Sequence, residues 1–234
     1  MIVGCIIQAR MGSERLPGKV LMNLDNENPA LYYSIKQLQS AKLLDKIVVA
    51  TTDLTEDDVI IEYVKKLGID YFRGNSENVL DRYYNCAKKY SFSVIVRIPA
   101  DKPLIDPQII DQVIEKFNSN SYDYISNFLV SSFPSGTEVE VFSFGALEKT
   151  WKEATSSYDK EHVTSFIYNN KTKFKIENFK SDENLSHLRW ALDWPEDLKL
   201  IRIIISKIEK RPILLKDILE LMSKEPELKK INKK

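Results

Sequence analysis

Residues Ile2 to Met22 read IVGCIIQARMGSERLPGKVLM, and the two halves of that stretch have opposite chemistry. Ile2, Val3, Ile6 and Ile7 make a β-branched apolar run, the pattern of a strand buried on both faces of a sheet. The next dozen residues turn polar and basic, with Arg10, Gly12, Ser13, Arg15, Pro17, Gly18 and Lys19 in quick succession. Glycines let the main chain approach an oxyanion closely, amides donate hydrogen bonds to it, and Arg and Lys neutralise its charge. The stretch therefore predicts an α/β protein whose first strand delivers a polyphosphate cradle.

Working outward, strand-like and helix-like segments alternate. Ala30 to Leu44 carries apolar residues near helical spacing, and Lys46 to Thr52 (KIVVATT) reads as a second buried strand. Thr55, with Asp58 three residues on, is expected to cap a helix that Gly68 stops. Tyr71 and Phe72 end a short strand, the turn RGNS at Arg73 to Ser76 leads into a helix over Glu77 to Tyr90, and Val94 to Ile98 is a further strong strand. It runs into PADKPLIDP, so Asp101 stands just past a strand's carboxyl end, where open α/β sheets place their ligands. A helix with Pro107 in its first turn follows.

The second half is less regular. Tyr122 to Ser126 reads as a strand, and Thr137 to Phe142 (TEVEVF) alternates carboxylates with apolar residues, the pattern of a half-exposed strand with Glu138 and Glu140 on one face. Helices are expected over Phe144 to Ala154 and Lys160 to Asn169, strands over Phe174 to Phe179 and Leu188 to Leu192, and helices over Pro195 to Lys210 and Leu214 to Ser223. The expected organisation is one domain over 1–225, with a nucleotide-binding half at 1–120, an acceptor and dimerisation part at 121–193 and C-terminal helices at 194–225. A flexible basic tail is expected at 226–234.

The totals narrow the partners. With 34 basic and 34 acidic side chains in 234 residues the formal charge is zero, so no global field favours nucleic acid or a membrane surface, and any anion site is local. Cys5 and Cys86 match no metal or redox spacing and read as buried thiols. No signal peptide and no apolar run long enough for a membrane span is evident, so the expected compartment is the cytoplasm.

The basic loop is not a P-loop. Five residues separate Gly12 from Gly18 where that motif has four, and Val20 stands where a Ser or Thr would reach a metal. Asp101 and Asp193 each follow an expected strand, and together with the cationic loop they form a phosphate and metal constellation. Taken singly, Asp193 also reads as a helix cap and Asp101 as a turn residue.

QARMGSERLPGKVL resembles the N-terminal signature of the cytidylyltransferases that activate acidic sugars, the acylneuraminate and 3-deoxy-manno-octulosonate cytidylyltransferases, and is closest to the spore-coat polysaccharide branch. The resemblance continues through VVATTD, RGNSENVLDRY, RIPADKPLIDP, GTEVEVFS, DKEHVTSFIY and LDWPEDLKLIR. It implies a Rossmann-like three-layer α/β/α nucleotidyltransferase fold of glycosyltransferase type A, with a mixed, mostly parallel sheet. It further implies transfer of CMP from CTP to an acidic sugar or sugar phosphate with release of pyrophosphate, Mg2+ held by Asp101 and Asp193, and Arg10, Arg15 and Lys19 on the triphosphate. By position in the motifs, Ala9, Gly12, Ser13, Gly74, Ser76 and Arg82 join the nucleotide site. Glu138, Glu140, Glu161 and His162 fall in the acceptor part. Lys102, inside PADKP, departs from the branch's usual TGDCP or TADCP and sets a further cation beside Asp101. Similar enzymes pair as homodimers through the segment corresponding to Tyr122 to Phe142. A phosphonate or polyol phosphate acceptor, a glycosyltransferase using a finished nucleotide sugar, and a non-catalytic nucleotide-binding module remain open alternatives at this point.

Overall fold

The computed structural model describes residues 1–233. Its seven-stranded sheet has the order β3-β2-β1-β4-β6-β5-β7, built from β1 (Val3–Gln8), β2 (Lys46–Thr52), β3 (Asp70–Gly74), β4 (Val94–Pro99), β5 (Tyr124–Ser126), β6 (Glu140–Ser143) and β7 (Ile176–Asn178). The first four strands are mutually parallel, β6 runs against both β4 and β5, and β7 is parallel to β5. The sheet is therefore mixed and mostly parallel, as expected. Successive side chains of a strand point to opposite faces. Val3, Cys5 and Ile7 of β1 accordingly pack with α1 (Ala30–Leu38), α2 (Asp58–Lys66) and α4 (Pro107–Ser119). Ile6 packs on the other face with α3 (Val79–Lys89) and α5 (Phe144–Glu153). A third cluster joins Tyr33 of α1 to α8 (Pro195–Lys207) and α9 (Leu215–Lys224). Cys5 and Cys86 are free buried thiols. Among the described residues no helix is long and apolar enough to cross a membrane.

Several elements depart from the sequence reading. The first helix stops at Leu38, not Leu44, because a turn at Ser40 and Ala41 takes over. Thr55 caps nothing: it opens a 3-10 turn, Thr55–Asp57, and the fully buried residue there is Asp57. The helix expected over Lys160 to Asn169 is broken into α6 (Ser157–His162) and α7 (Ser165–Asn169). Val163 between them adopts φ 59 and ψ −58, and Thr164 N donates to His162 O at 2.6 Å, so a tight γ-turn reverses the chain there. No strand forms at Leu188 to Leu192; Arg189 makes a single parallel bridge to Ser135. Gly136, at φ 104, comes so near that a Cβ on it would lie 2.6 Å from Ala191 N, which makes this a crossing of segments and not a ladder. The tail is also packed in part, as a 3-10 turn over Pro226–Lys230 with Leu228 buried in the α8–α9 cluster.

The largest correction concerns TEVEVF. Its strand is shorter than expected and lies inside the sheet between β4 and β5, so Glu140 is 5% exposed instead of half-solvated. Most of Tyr122 to Phe142, the expected dimerisation segment, is likewise interior to the protomer, and Val130 is its large exposed apolar side chain at 54%. Glu140 is tolerated in the interior because Arg97 stands directly opposite it in the antiparallel register and their side chains pair. Tyr124 Oη at 3.0 Å and the Thr164 hydroxyl donate to its other oxygen. A buried carboxylate needs such donors, since an unpaired charge in the interior is strongly destabilising. Arg97→Met, which strands Glu140, is expected to destabilise the protein by about 3–5 kcal/mol in chemical denaturation. An Arg97→Met, Glu140→Met double variant should recover part of that loss; equal stability of the single variant and the parent would contradict the pairing.

Candidate active site

The loop after β1 is held by backbone geometry before any charge is considered. Ala9 N donates to Ala50 O at 3.1 Å, continuing the β1–β2 ladder, and the Ala9 side chain is buried in the core. Met11 O then accepts from both Ser13 N at 2.8 Å and Gly18 N at 2.9 Å, which closes the loop on itself. Gly18 makes that closure with φ 70, a left-handed conformation that glycine adopts without steric cost, and the 3-10 turn Lys19–Leu21 follows. Met11 N donates to Asp57 Oδ1 at 2.7 Å, while the other Asp57 oxygen takes Thr52 N and the Thr52 hydroxyl. Asp57 thus pins the loop to the end of β2. Two amides expected to face phosphate are spent inside the loop, which leaves more of the anion binding to side chains.

Those side chains converge. Lys19 Nζ lies 2.9 Å from Asp101 Oδ2 and 2.9 Å from Asp193 Oδ1, with Lys19 only 12% exposed. Arg15 reaches Asp193 Oδ1 at 2.7 Å and lies 5.6 Å from the centroid of the Trp194 ring. Arg189 holds the second Asp193 oxygen at 2.5 Å. Burial raises the Asp193 carboxyl, but the hydrogen bonds from Lys19 and Arg189 outweigh it and leave Asp193 below the ordinary carboxylate range. The helix-cap role is taken by Asp197, which accepts from Asp193 N and Trp194 N at 3.0 Å each. Asp193 is free of that duty. Leu192 N donates to Asp101 O at 2.8 Å, so the two aspartate segments are also joined through the backbone.

Around this centre lies a cleft of about 460 Å³ lined by Arg10, Ser13, Arg15 and Lys19 from the loop, and by Gln8, Asp101 and Glu161 opposite. A larger groove of about 970 Å³ runs between α4 and α9 past Phe133 and Phe179, and no residue of the signature loop lines it. The chemistry therefore belongs to the smaller cleft. Gly12 is not among its lining residues, and a Cβ there would meet Glu56 Oε1 at 3.0 Å.

The remaining expected residues divide. Gly74, Ser76 and Arg82 do not line the cleft; Arg82 is buried, its Nη1 donates to Asn75 O at 3.0 Å, and it supports the 74–76 turn from within. Burial pushes the Arg82 guanidinium down, and the charge of Arg10 adds to this. Glu138 is occupied by Lys102, whose Nζ is 3.1 Å from Glu138 Oε2 and 2.8 Å from Glu138 O. Lys102 therefore leans away from Asp101. Burial raises Glu138, but the Lys102 ammonium outweighs it and holds the carboxyl below its usual range. His162 lies with its ring centroid 4.1 Å from that of Tyr158, tilted by 52°, and does not line the cleft, whereas Glu161 beside it does.

Gln8 and Arg97 were not singled out in the sequence. Arg97 donates through Nε at 3.3 Å and Nη2 at 3.1 Å to Gln8 Oε1. A guanidinium can only donate, so it fixes the carboxamide orientation and turns Gln8 Nε2 away from itself. Glu140 thus acts on the cleft indirectly, through Arg97 to Gln8 and through Thr164 to the γ-turn behind Glu161.

Two carboxylate oxygens sharing one ammonium define a point where positive charge is stable, and their hard oxygen donors suit Mg2+. Among the described residues no group of three or more His, Cys, Asp or Glu side chains forms a metal cage. Magnesium usually takes only one or two carboxylates and completes its shell with water and phosphate. The Lys19 contact also sets a pH dependence. Asp193 is depressed, so the ion pair contributes stability above the unfolded carboxylate pKa and loses it as pH falls through the lower folded value. Lys19→Ala is expected to raise the Asp193 carboxyl pKa in a 13C NMR titration; an unchanged value would remove Lys19 from between the aspartates.

A family model described as cytidylyltransferase matches residues 4–227. An uncharacterised protein of Methanocaldococcus jannaschii is 40% identical over 99% of this chain and 94% of its own length. The spore coat polysaccharide biosynthesis protein SpsF of Bacillus subtilis is 31% identical over 95% of this chain and 94% of its own. A cytidylyltransferase from Leptospira borgpetersenii, solved as a structure, has a TM-score of 0.93 at 32% identity, covering 97% of this chain and 96% of that one.

Proposed function

The chain belongs to the cytidylyltransferase family and is a CTP-dependent nucleotidyltransferase with a Rossmann-like fold, and from that premise we propose that it transfers CMP to a hydroxylated sugar acid of surface-glycan synthesis, using Mg2+ held by Asp101 and Asp193. The observation that carries this reading is the meeting of Asp101 and Asp193 at the Lys19 ammonium, 2.9 Å from each, beside the cationic loop. The surface-glycan role is supported by the relative in spore coat polysaccharide synthesis.

In the proposed reaction an acceptor oxygen attacks the α-phosphorus of CTP, a new P–O bond forms, and the bond to the β-phosphate breaks with its electron pair leaving on pyrophosphate. The proton of a hydroxyl nucleophile passes to a carboxylate of the cleft, for which Glu161 is the candidate. Asp101 and Asp193 would hold the magnesium, which would supply charge neutralisation at the phosphates. Arg10, Arg15 and Lys19 bind the β- and γ-phosphates and stabilise the charge that accumulates on them as they leave. Rate enhancement comes chiefly from this positioning and electrostatic fit.

The acceptor class follows from charge. The cations lining the cleft, Arg10, Arg15 and Lys19, all come from the loop, while the opposite wall offers Gln8 and the carboxylate of Glu161. Lys102, next to Asp101, is taken by Glu138, and Arg97, bonded to Gln8, is taken by Glu140. Such a wall suits hydroxyls and at most one carboxylate better than a dianionic phosphate, which calls for Arg or Lys. Incubation with each of the four nucleoside triphosphates, Mg2+, and either sugar acids or sugar phosphates should release pyrophosphate with CTP and a sugar acid. Turnover with phosphate acceptors alone would overturn the acceptor class, and no pyrophosphate from any combination would overturn the activity.

A further inference from the structure

The last residues of the chain return to the site. Leu228 anchors the Pro226–Lys230 turn in the cluster of α8 and α9 at 4% exposure, and two residues past that turn the Asn232 carboxamide meets the segment that carries Asp193. Asn232 Nδ2 donates to Arg189 O at 3.1 Å and to Asp197 Oδ1 at 2.8 Å. These partners lie four residues before and four residues after Asp193. One amide group, using both of its protons, therefore ties together the two ends of the loop 189–197.

The loop needs such a tie. Leu188 to Leu192 forms no ladder, and its only β-contact is the Ser135–Arg189 bridge. Between its ends the loop is organised by Asp197, 1% exposed, which accepts from the backbone of Asp193 and Trp194 and from Arg189 Nε and Nη2 at 3.3 Å. Arg189 in turn holds Asp193 Oδ2. Beyond the backbone bonds of 190–192 to Ser135 and Asp101, the groups that orient Asp193 from behind are, among the described residues, Asp197 and Arg189, the two residues to which Asn232 is bonded. Asn232 also lines, with Trp194, Glu196 and Asp197, a cavity of about 370 Å³ at the start of α8.

We infer that Asn232, carried by the docked C-terminal segment, is a positioning residue that holds Asp193 in register with Asp101 for cation binding. The inference rests on the proposed role of Asp193 toward Mg2+. The chemistry demanded of position 232 is two N–H donors on one short side chain. Aspartate has the same shape and supplies neither donor when ionised.

The test uses Mn2+ as a paramagnetic probe. Its binding to the protein–CTP complex is read by electron paramagnetic resonance, and CTP affinity without metal is read by calorimetry in chelator. Asn232→Asp, Asn232→Ala and a chain ending at Lys230, which keeps the Leu228 anchor, should each raise the half-saturating Mn2+ concentration about tenfold, the lower end of the usual effect of residues that orient metal ligands. Metal-free CTP affinity and the thermal midpoint should not move, and Asn232→Gln should restore part of the Mn2+ affinity. Wild-type Mn2+ affinity in the folded Asn232 variants, or an equal loss of metal-free CTP affinity, would overturn the inference. Asp193→Asn separates the two readings. If it weakens Mn2+ while the Asn232 variants do not, only the positioning role falls; if it does not, the metal role of Asp193 falls and the inference falls with it.

Discussion

A single ammonium group, Lys19 Nζ, is shared by Asp101 and Asp193, and much of the molecule serves to bring those three residues together. They lie 82 and 174 positions apart along the chain, so each has to be delivered by a different part of the fold. Lys19 arrives on a loop closed by Met11 O and pinned by buried Asp57. Asp101 arrives at the carboxyl end of β4, the strand next to β1 in the sheet. Asp193 arrives on an irregular segment held by Asp197 and Arg189. Two carboxylates facing one another across a cleft would repel; the shared cation makes their approach favourable and keeps the site compact.

The central strands were legible because a strand covered by helices on both faces is mostly apolar, as the runs Val3–Ile7, Ile47–Ala50 and Val94–Val96 are, with Gln8, Lys46 and Arg97 among the polar exceptions. β6 was not. Its alternation of Glu and Val is what a solvent-facing strand shows, and what reverses that reading is Arg97, 43 residues away and directly opposite Glu140. Periodicity carries no information about a cross-strand partner, so a buried ion pair looks like surface. The break between α6 and α7 was hidden for a related reason. Val163 is a poor residue for positive φ, and its conformation is imposed by tertiary contacts such as the Thr164 hydroxyl on Glu140.

At the site, the residues that carry charge were readable and the residues that orient them were not. Arg10, Arg15, Lys19, Asp101 and Asp193 stand in short motifs whose composition suits a phosphate and metal site and little else. Asp57, Gln8, Arg97, Arg189 and Asp197 are ordinary polar residues in sequence, and their roles exist only through distances. Among them Asp57 left a trace, an acidic residue in the first turn after a strand, but Thr55 offered the simpler cap. The tail misled in the opposite direction: its lysines suggested fraying, while Leu228 and Asn232, one apolar and one polar anchor, fix it.

The neutral total charge of the chain and its affinity for a polyanion are reconciled by exchange of partners. Lys19 and Arg15 are committed to Asp101 and Asp193, so the cleft carries little unbalanced field. When Lys19 and Arg15 turn to phosphate oxygens, Asp101 loses the cation paired with it and Asp193 keeps only Arg189. A divalent cation on Asp101 and Asp193 restores the balance, and it is the ion that a nucleoside triphosphate carries with it. In the proposed reaction, nucleotide alone would leave Asp101 and one oxygen of Asp193 without a cation, whereas nucleotide with magnesium would leave neither so. In the proposed reaction the same ion pairs that hold the site together would favour the metal–nucleotide complex over either component, through local charge balance without any net charge on the protein.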